Sequence, residues 1–180
     1  MSRMRRIHVP GGTVFFTVCL AQPGSWLLIE EIDSLRFAVG RTRAEHPFEV
    51  LAWTVLPDRM HAIWKLPEGD SAYAPRWGAI KARFSRAVSL AGRLPAERPG
   101  ARPARGELGL WRKRFWEHHL RGPRDLRDHL DLCRLAPVRA GLVAAPEDWP
   151  FGTFGRGGQA GGARGNPRAT QGPQGAAVVS

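Results

Sequence analysis

The chain has 180 residues, 43% of them apolar, enough for one folded domain with a real core. Its formal net charge is +11 and its pI about 11.3, a balance that favours a polyanionic partner, nucleic acid first of all. No apolar run approaches the roughly 18 residues that span a membrane, and Cys19 and Cys133 stand too far apart for a CxxC pair. A membrane partner, a disulfide framework and a cysteine-built zinc site are thereby excluded, and a cytoplasmic location is expected. The cations are 24 Arg and 3 Lys. Arginine's planar fork suits phosphate and guanine, although GC-rich coding yields the same skew.

In chain order, Thr13 to Leu20 follows the Pro10-Gly11-Gly12 turn and is rich in β-branched and aromatic residues, which predicts a first strand. Ile32, Leu35, Val39 and Arg43 recur at helical spacing, flanked by Ile29 and Phe37, and predict an amphipathic helix over 30–45. Phe48 to Leu56 and Met60 to Leu66 read as strands of a hairpin about Pro57-Asp58, the second central because it is apolar at nearly every position. Residues 75–91 carry Trp77, Ile80, Phe84 and Val88 on one helical stripe. Residues 92–109 hold three prolines and four arginines, the composition of a flexible insertion. Leu110 to Leu120 holds a fourth strand. Pro123 opens a helix to about Leu135 that buries Leu126, Leu130 and Cys133. The segment 155–180 has eight glycines, three arginines and no acid, a disordered Gly/Arg-rich tail by composition. Without it the chain keeps 24 cations against 16 anions, or +8, so the basic character belongs to the folded part. The order βαββαβα predicts an α+β, ferredoxin-like antiparallel sheet with helices on one face.

The stretch Trp53-Thr54-Val55-Leu56-Pro57-Asp58-Arg59-Met60-His61-Ala62-Ile63-Trp64 resembles the REP-associated tyrosine transposases, a branch of the single-tyrosine HUH transposases. So do Arg5 to Gly12 with Phe15 to Val18, Glu45 to Phe48, Ile80 to Arg86, Trp111 to His118, Pro137 to Val143 and Asp148-Trp149-Pro150. Each piece is short, but their order and spacing agree over about residues 5–154, which implies a transposase-like DNA-binding domain over 1–154. The resemblance implies binding of hairpin or single-stranded DNA with REP-like palindromes, and cutting and rejoining of single strands in an intact relative. That chemistry takes a His-x-His pair on a strand, where period-2 alternation puts both imidazoles on one face to hold magnesium or manganese. It also takes a tyrosine on the late helix, which attacks the phosphate and forms a covalent link.

This sequence departs at both places. The histidine pair falls on Arg59-Met60-His61, and a guanidinium repels a cation and offers no lone pair. Where the family reads approximately DYIHYNPV, Leu132 stands at the tyrosine position. A catalytically inactive DNA-binding member without a bound cofactor is therefore expected, His61 being a remnant metal ligand. The only tyrosine, Tyr73, falls in a polar loop before the second helix and matches no catalytic position. Alternatives are an active nuclease with a displaced nucleophile, a basic RNA-binding protein, and a decaying gene. The RNA reading lacks the aromatic motif of an RNA-recognition module.

The expected DNA contacts are Arg59, Lys81, Arg83, Arg112, Lys113 and Arg114. A solvated edge also accounts for the last three, and a hydrogen-bonded strand histidine for His61. His118 and His119 are adjacent, so on a strand they face opposite sides and do not chelate together. Of Trp111, Phe115 and Trp116, one at most is expected to touch DNA. The oligomeric state is open, with a monomer slightly favoured.

Overall fold

A computed structural model describes residues 11–94 and 109–156. Most of the 92–109 insertion, residues 1–10 and nearly all of the tail lie outside the described residues. Four strands form one antiparallel sheet: β1 (Thr13–Cys19), β2 (Glu49–Val55), β3 (Arg59–Lys65) and β4 (Trp116–His119), in the spatial order β2-β3-β1-β4. Both central strands pair on each side, and most of their residues are buried and apolar. The short α1 (Leu27–Glu30) leads into α2 (Ile32–Glu45), and α3 (Tyr73–Leu90) and α4 (Gly122–Arg139) follow β3 and β4.

Pleat alternation sorts the side chains. Val14, Phe16 and Val18 of β1 join Met60, Ala62 and Trp64 of β3 under α2 and α3. The Trp77, Ile80, Phe84 and Val88 stripe of α3 is fully buried there, with Trp77 stacked on Trp64 at 4.2 Å. Arg76 is buried in the same layer. It pairs with Asp70 at 2.6 Å and donates to the carbonyls of His46, Pro47 and Ala72, so its charge is matched and its donors are occupied.

The α+β sheet in βαββαβα order agrees with the sequence reading, with one correction. α2 and α3 cover one face, but α4 lies on the other, where Cys133, Leu126 and Leu130 pack on Phe15, Ala52 and Ile63. α2 and α3 each join parallel strands with another strand between them, and right-handed crossovers put both on one side. α4 joins no further strand and is free of that rule, so it covers the face left bare.

Two boundaries and one burial also differ. β4 is four residues long, and Trp111 makes only an isolated bridge to Leu20. Phe37 is exposed rather than a flank of the buried α2 stripe. α4 runs past Leu135 to Arg139 through Pro137. Proline removes the N–H that would bond the carbonyl four residues back, here that of Cys133. The Thr54 hydroxyl donates to that carbonyl at 2.8 Å, so β2 supplies the missing partner and pins α4 across the sheet. Beyond α4 the chain folds back over the edge of β2. Val55 N–H donates to the Phe151 carbonyl at 2.8 Å and the buried Trp149 indole to the Val55 carbonyl at 2.9 Å.

Candidate nucleic-acid interface

The face under α4 carries Arg59, His61, Thr17 and His118. Register places Cys19 opposite Arg59, Thr17 opposite His61 and Phe15 opposite Ile63, with Trp116 and His118 of β4 across from Thr17 and Phe15. Directly opposed residues share a face. Between this face and the C-terminal half of α4 lies an open cavity of about 480 Å³, lined among others by Trp26, Asp58, Arg59, His61, Leu132 and Arg139. Three residues singled out in the sequence, Arg59, His61 and Leu132, thus line one cavity although they come from a strand and a helix more than 70 positions apart.

Arg59 is half-exposed and folds back on its neighbour: its Nε donates to Asp58 at 2.9 Å and its Nη2 at 3.3 Å. Asp58 also accepts the Gly24 N–H at 2.8 Å, and the Arg59 guanidinium holds its carboxyl below the usual aspartate range. His61 stacks on Phe15 at 5.7 Å, and its Nδ1 shares a 2.9 Å hydrogen bond with Thr17 Oγ1. Burial, with Arg59 adding repulsion, pushes its pKa down to about 4, so the ring is neutral near pH 7.

These residues do not fit the divalent ion that the His-x-His pair holds. The first position is a donor-only cation locked onto the nearest carboxylate, which leaves a single imidazole. Leu132 has no nucleophilic atom. Tyr73 is not in a loop: it opens α3, is fully buried on the far face and donates to Glu117 Oε1 at 3.1 Å. It cannot reach the cavity without unfolding the α3 layer.

The other expected contacts divide. Arg112, Lys113 and Arg114 are all exposed, and the Arg112 N–H donates to the Cys19 carbonyl at 3.0 Å, one strand across from Arg59. The cluster therefore sits at the cavity end of the sheet. Arg83 does not join it, and Lys81 touches it through a backbone carbonyl. Arg83 ties α3 to α2 through Thr42 Oγ1 at 2.7 Å and a pair with Glu45. The Lys81 amine donates to the Arg112 carbonyl at 3.1 Å and lies over the Trp111 and Phe115 rings. Among the three aromatics, Trp111 bonds Ser85 and packs on Phe84, Phe115 packs on Phe16, and only Trp116, 51% exposed, is open to a base.

Sequence reasoning missed Trp26, also 51% exposed, and Arg139, which line the cavity from α1's entry and α4's last turn. It also missed a cluster. His118 and His119 do face opposite sides, His119 toward Tyr73. His118 meets Asp125 at 2.9 Å, and Asp125 meets His129 at 3.0 Å. The Arg121 N–H, then His118, lowers the Asp125 carboxyl pKa. The i,i+4 spacing of Asp125 and His129 was the available signal.

Arg59 and Arg139, the exposed Trp26 and Trp116 and the neutral His61 thus gather at one helix-covered sheet face. No protein-family model matches the chain. It is 41% identical over 156 residues to the REP-associated tyrosine transposase of Escherichia coli, covering 87% of this chain and 84% of the relative. A Haemophilus influenzae relative is 38% identical over 159 residues, 87% of each chain. Among solved structures, a REP-associated tyrosine transposase bound to a REP hairpin superposes with a TM-score of 0.73 at 39% identity, over 92% of this chain and 93% of that one. The chain belongs to the REP-associated tyrosine transposase family.

Proposed function

We propose that this member binds hairpin or single-stranded DNA of the palindromic kind and does not form the covalent tyrosine–phosphate link. What supports the reading is the cavity, which Leu132 and the Asp-bound Arg59 line together; by the sequence resemblance these residues stand where the nucleophile and a metal ligand are expected. The same cavity suits binding. Arg139 is exposed, Arg59 keeps its Nη1 for a phosphate oxygen, and Trp26 offers a ring on which an unpaired base stacks. The hairpin held by the solved relative is the natural probe. The displaced-tyrosine reading loses its candidate, because Tyr73 is buried on the opposite face.

The test is fluorescence anisotropy with a REP-type DNA hairpin carrying a short single-stranded foot, its scrambled blunt duplex and the RNA hairpin of the same sequence. Tightest binding to the DNA hairpin is expected. Equal or tighter binding to RNA overturns the reading and restores the RNA-binding alternative.

A further inference from the structure

We propose that His118, Asp125 and His129 bind one divalent transition-metal ion, at a place distinct from the Arg59–His61 position. His118 leaves β4 toward α4, and the i,i+4 pair on the first turns of α4 faces it. Their donor atoms lie within 4.8 Å of one another. Two contacts are shorter, 2.9 Å from His118 Nε2 to Asp125 Oδ2 and 3.0 Å from His129 Nδ1 to Asp125 Oδ1. Bonds of about 2.0–2.1 Å in tetrahedral array separate ligand atoms by about 3.3 Å, so the two Asp125 contacts need to open by a few tenths of an ångström, while the two imidazole nitrogens, within 4.8 Å, must close to that spacing by a turn of one ring out of the stack. In the metal-free protein His129 Nδ1 also donates to the Asp125 backbone carbonyl at 2.8 Å; ion binding breaks that hydrogen bond, and the ring protons that the donor nitrogens carry leave to solvent.

The surroundings orient the donors. His118 stacks on Trp116 at 5.8 Å and on His129 at 4.8 Å, and His129 packs against Phe15 at 4.8 Å. The Arg121 N–H donates to Asp125 Oδ2 at 2.8 Å and fixes the carboxylate. The three side chains remain 34%, 23% and 15% exposed, so an ion can enter and at least one coordination position is left to water or a phosphate oxygen. Two imidazoles and one carboxylate favour zinc, cobalt or nickel over magnesium or calcium. The Phe15 ring lies against both His129 and His61, 4.8 and 5.7 Å away, so it stands between the cluster and the cavity.

The alternative is a His–Asp–His hydrogen-bond network that only fixes α4 to β4. Untagged, chelator-stripped full chain titrated with zinc by calorimetry, and with cobalt by visible absorption, separates the two. One equivalent is expected, retained in His61→Ala. Affinity should fall at least 10–100-fold in His129→Ala and in Asp125→Asn, which keeps a cap acceptor for Arg121. Histidine-ring nitrogen NMR of the unsubstituted protein supplies a readout that needs no variant: zinc should move the His118 and His129 resonances and leave His61 in place. No binding, unaltered binding in both variants, or a zinc response confined to His61 would overturn the proposal.

Discussion

Arg112, Lys113 and Arg114 are exposed at the cavity end of the sheet, whereas the Arg83 guanidinium is held by Thr42 and Glu45 and the Lys81 amine by the Arg112 carbonyl. The two groups should therefore differ in the salt dependence of DNA binding. Removing one cation from a phosphate lowers the slope of log affinity against log salt by roughly 0.7–0.9, so replacing the three exposed cations by alanine should lower it by about 2–2.7. Between about 50 and 200 mM salt, the unsubstituted protein should then weaken about 20–40-fold more than the triple variant. Anisotropy titrations on the hairpin at four or five salt concentrations read the slope directly. Arg83→Ala and Lys81→Met, checked for folding by circular dichroism, should leave it unchanged. An unaltered slope in the triple variant would make the cluster a solvated edge. A slope lowered as much by Arg83→Ala as by removal of one exposed cation would refute the division drawn from the geometry.

Trp26→Ala and Trp116→Ala should each weaken hairpin binding by about 1–3 kcal/mol, the range for one stacked base, at unchanged melting temperature. Trp111→Ala should instead lower the melting temperature, because that ring packs on Phe84 and bonds Ser85. Burial holds His61 near pKa 4 in the folded protein against about 6.5 when unfolded, so the unfolded chain binds the extra proton first. Stability should accordingly decline as pH falls from about 6.5 to 4, by roughly 3 kcal/mol from this residue at most. Urea melts across that range should show a flatter profile in His61→Phe, and parallel profiles would contradict the assignment.

The strands and the α3 stripe were legible because period 2 and period 3.6 leave plain marks: Trp77, Ile80, Phe84 and Val88 are all buried. The face that α4 covers was not legible. Its stripe of Leu126, Leu130 and Cys133 reads the same on either side, and only the crossovers of α2 and α3 decide which face is left. Leu132, Arg59 and His61 were found by motif position, and the fold gathers them at one cavity. The partners of Arg83, Thr42 and Glu45, lie 41 and 38 residues away and meet it only through helix packing, which no local pattern shows. For the same reason His118 stood apart from Asp125 and His129: β4 and α4 are juxtaposed by the tertiary fold. Thr54 gave no sign in the sequence of serving the carbonyl that Pro137 leaves without a donor.

The central claim is that DNA is held at the cavity without covalent chemistry. It is tested most directly by incubating the protein with a labelled REP-type hairpin and magnesium or manganese, then resolving the products on a denaturing gel. The account predicts a retarded complex on a native gel and, under denaturing conditions, free DNA only. Leu132→Tyr alone should stay silent because Arg59 still occupies a ligand position, and adding Arg59→His is the change that supplies both missing groups. A shifted, protease-sensitive DNA band from the unsubstituted protein would contradict the account, and its persistence in Tyr73→Phe would place the nucleophile on a residue other than tyrosine.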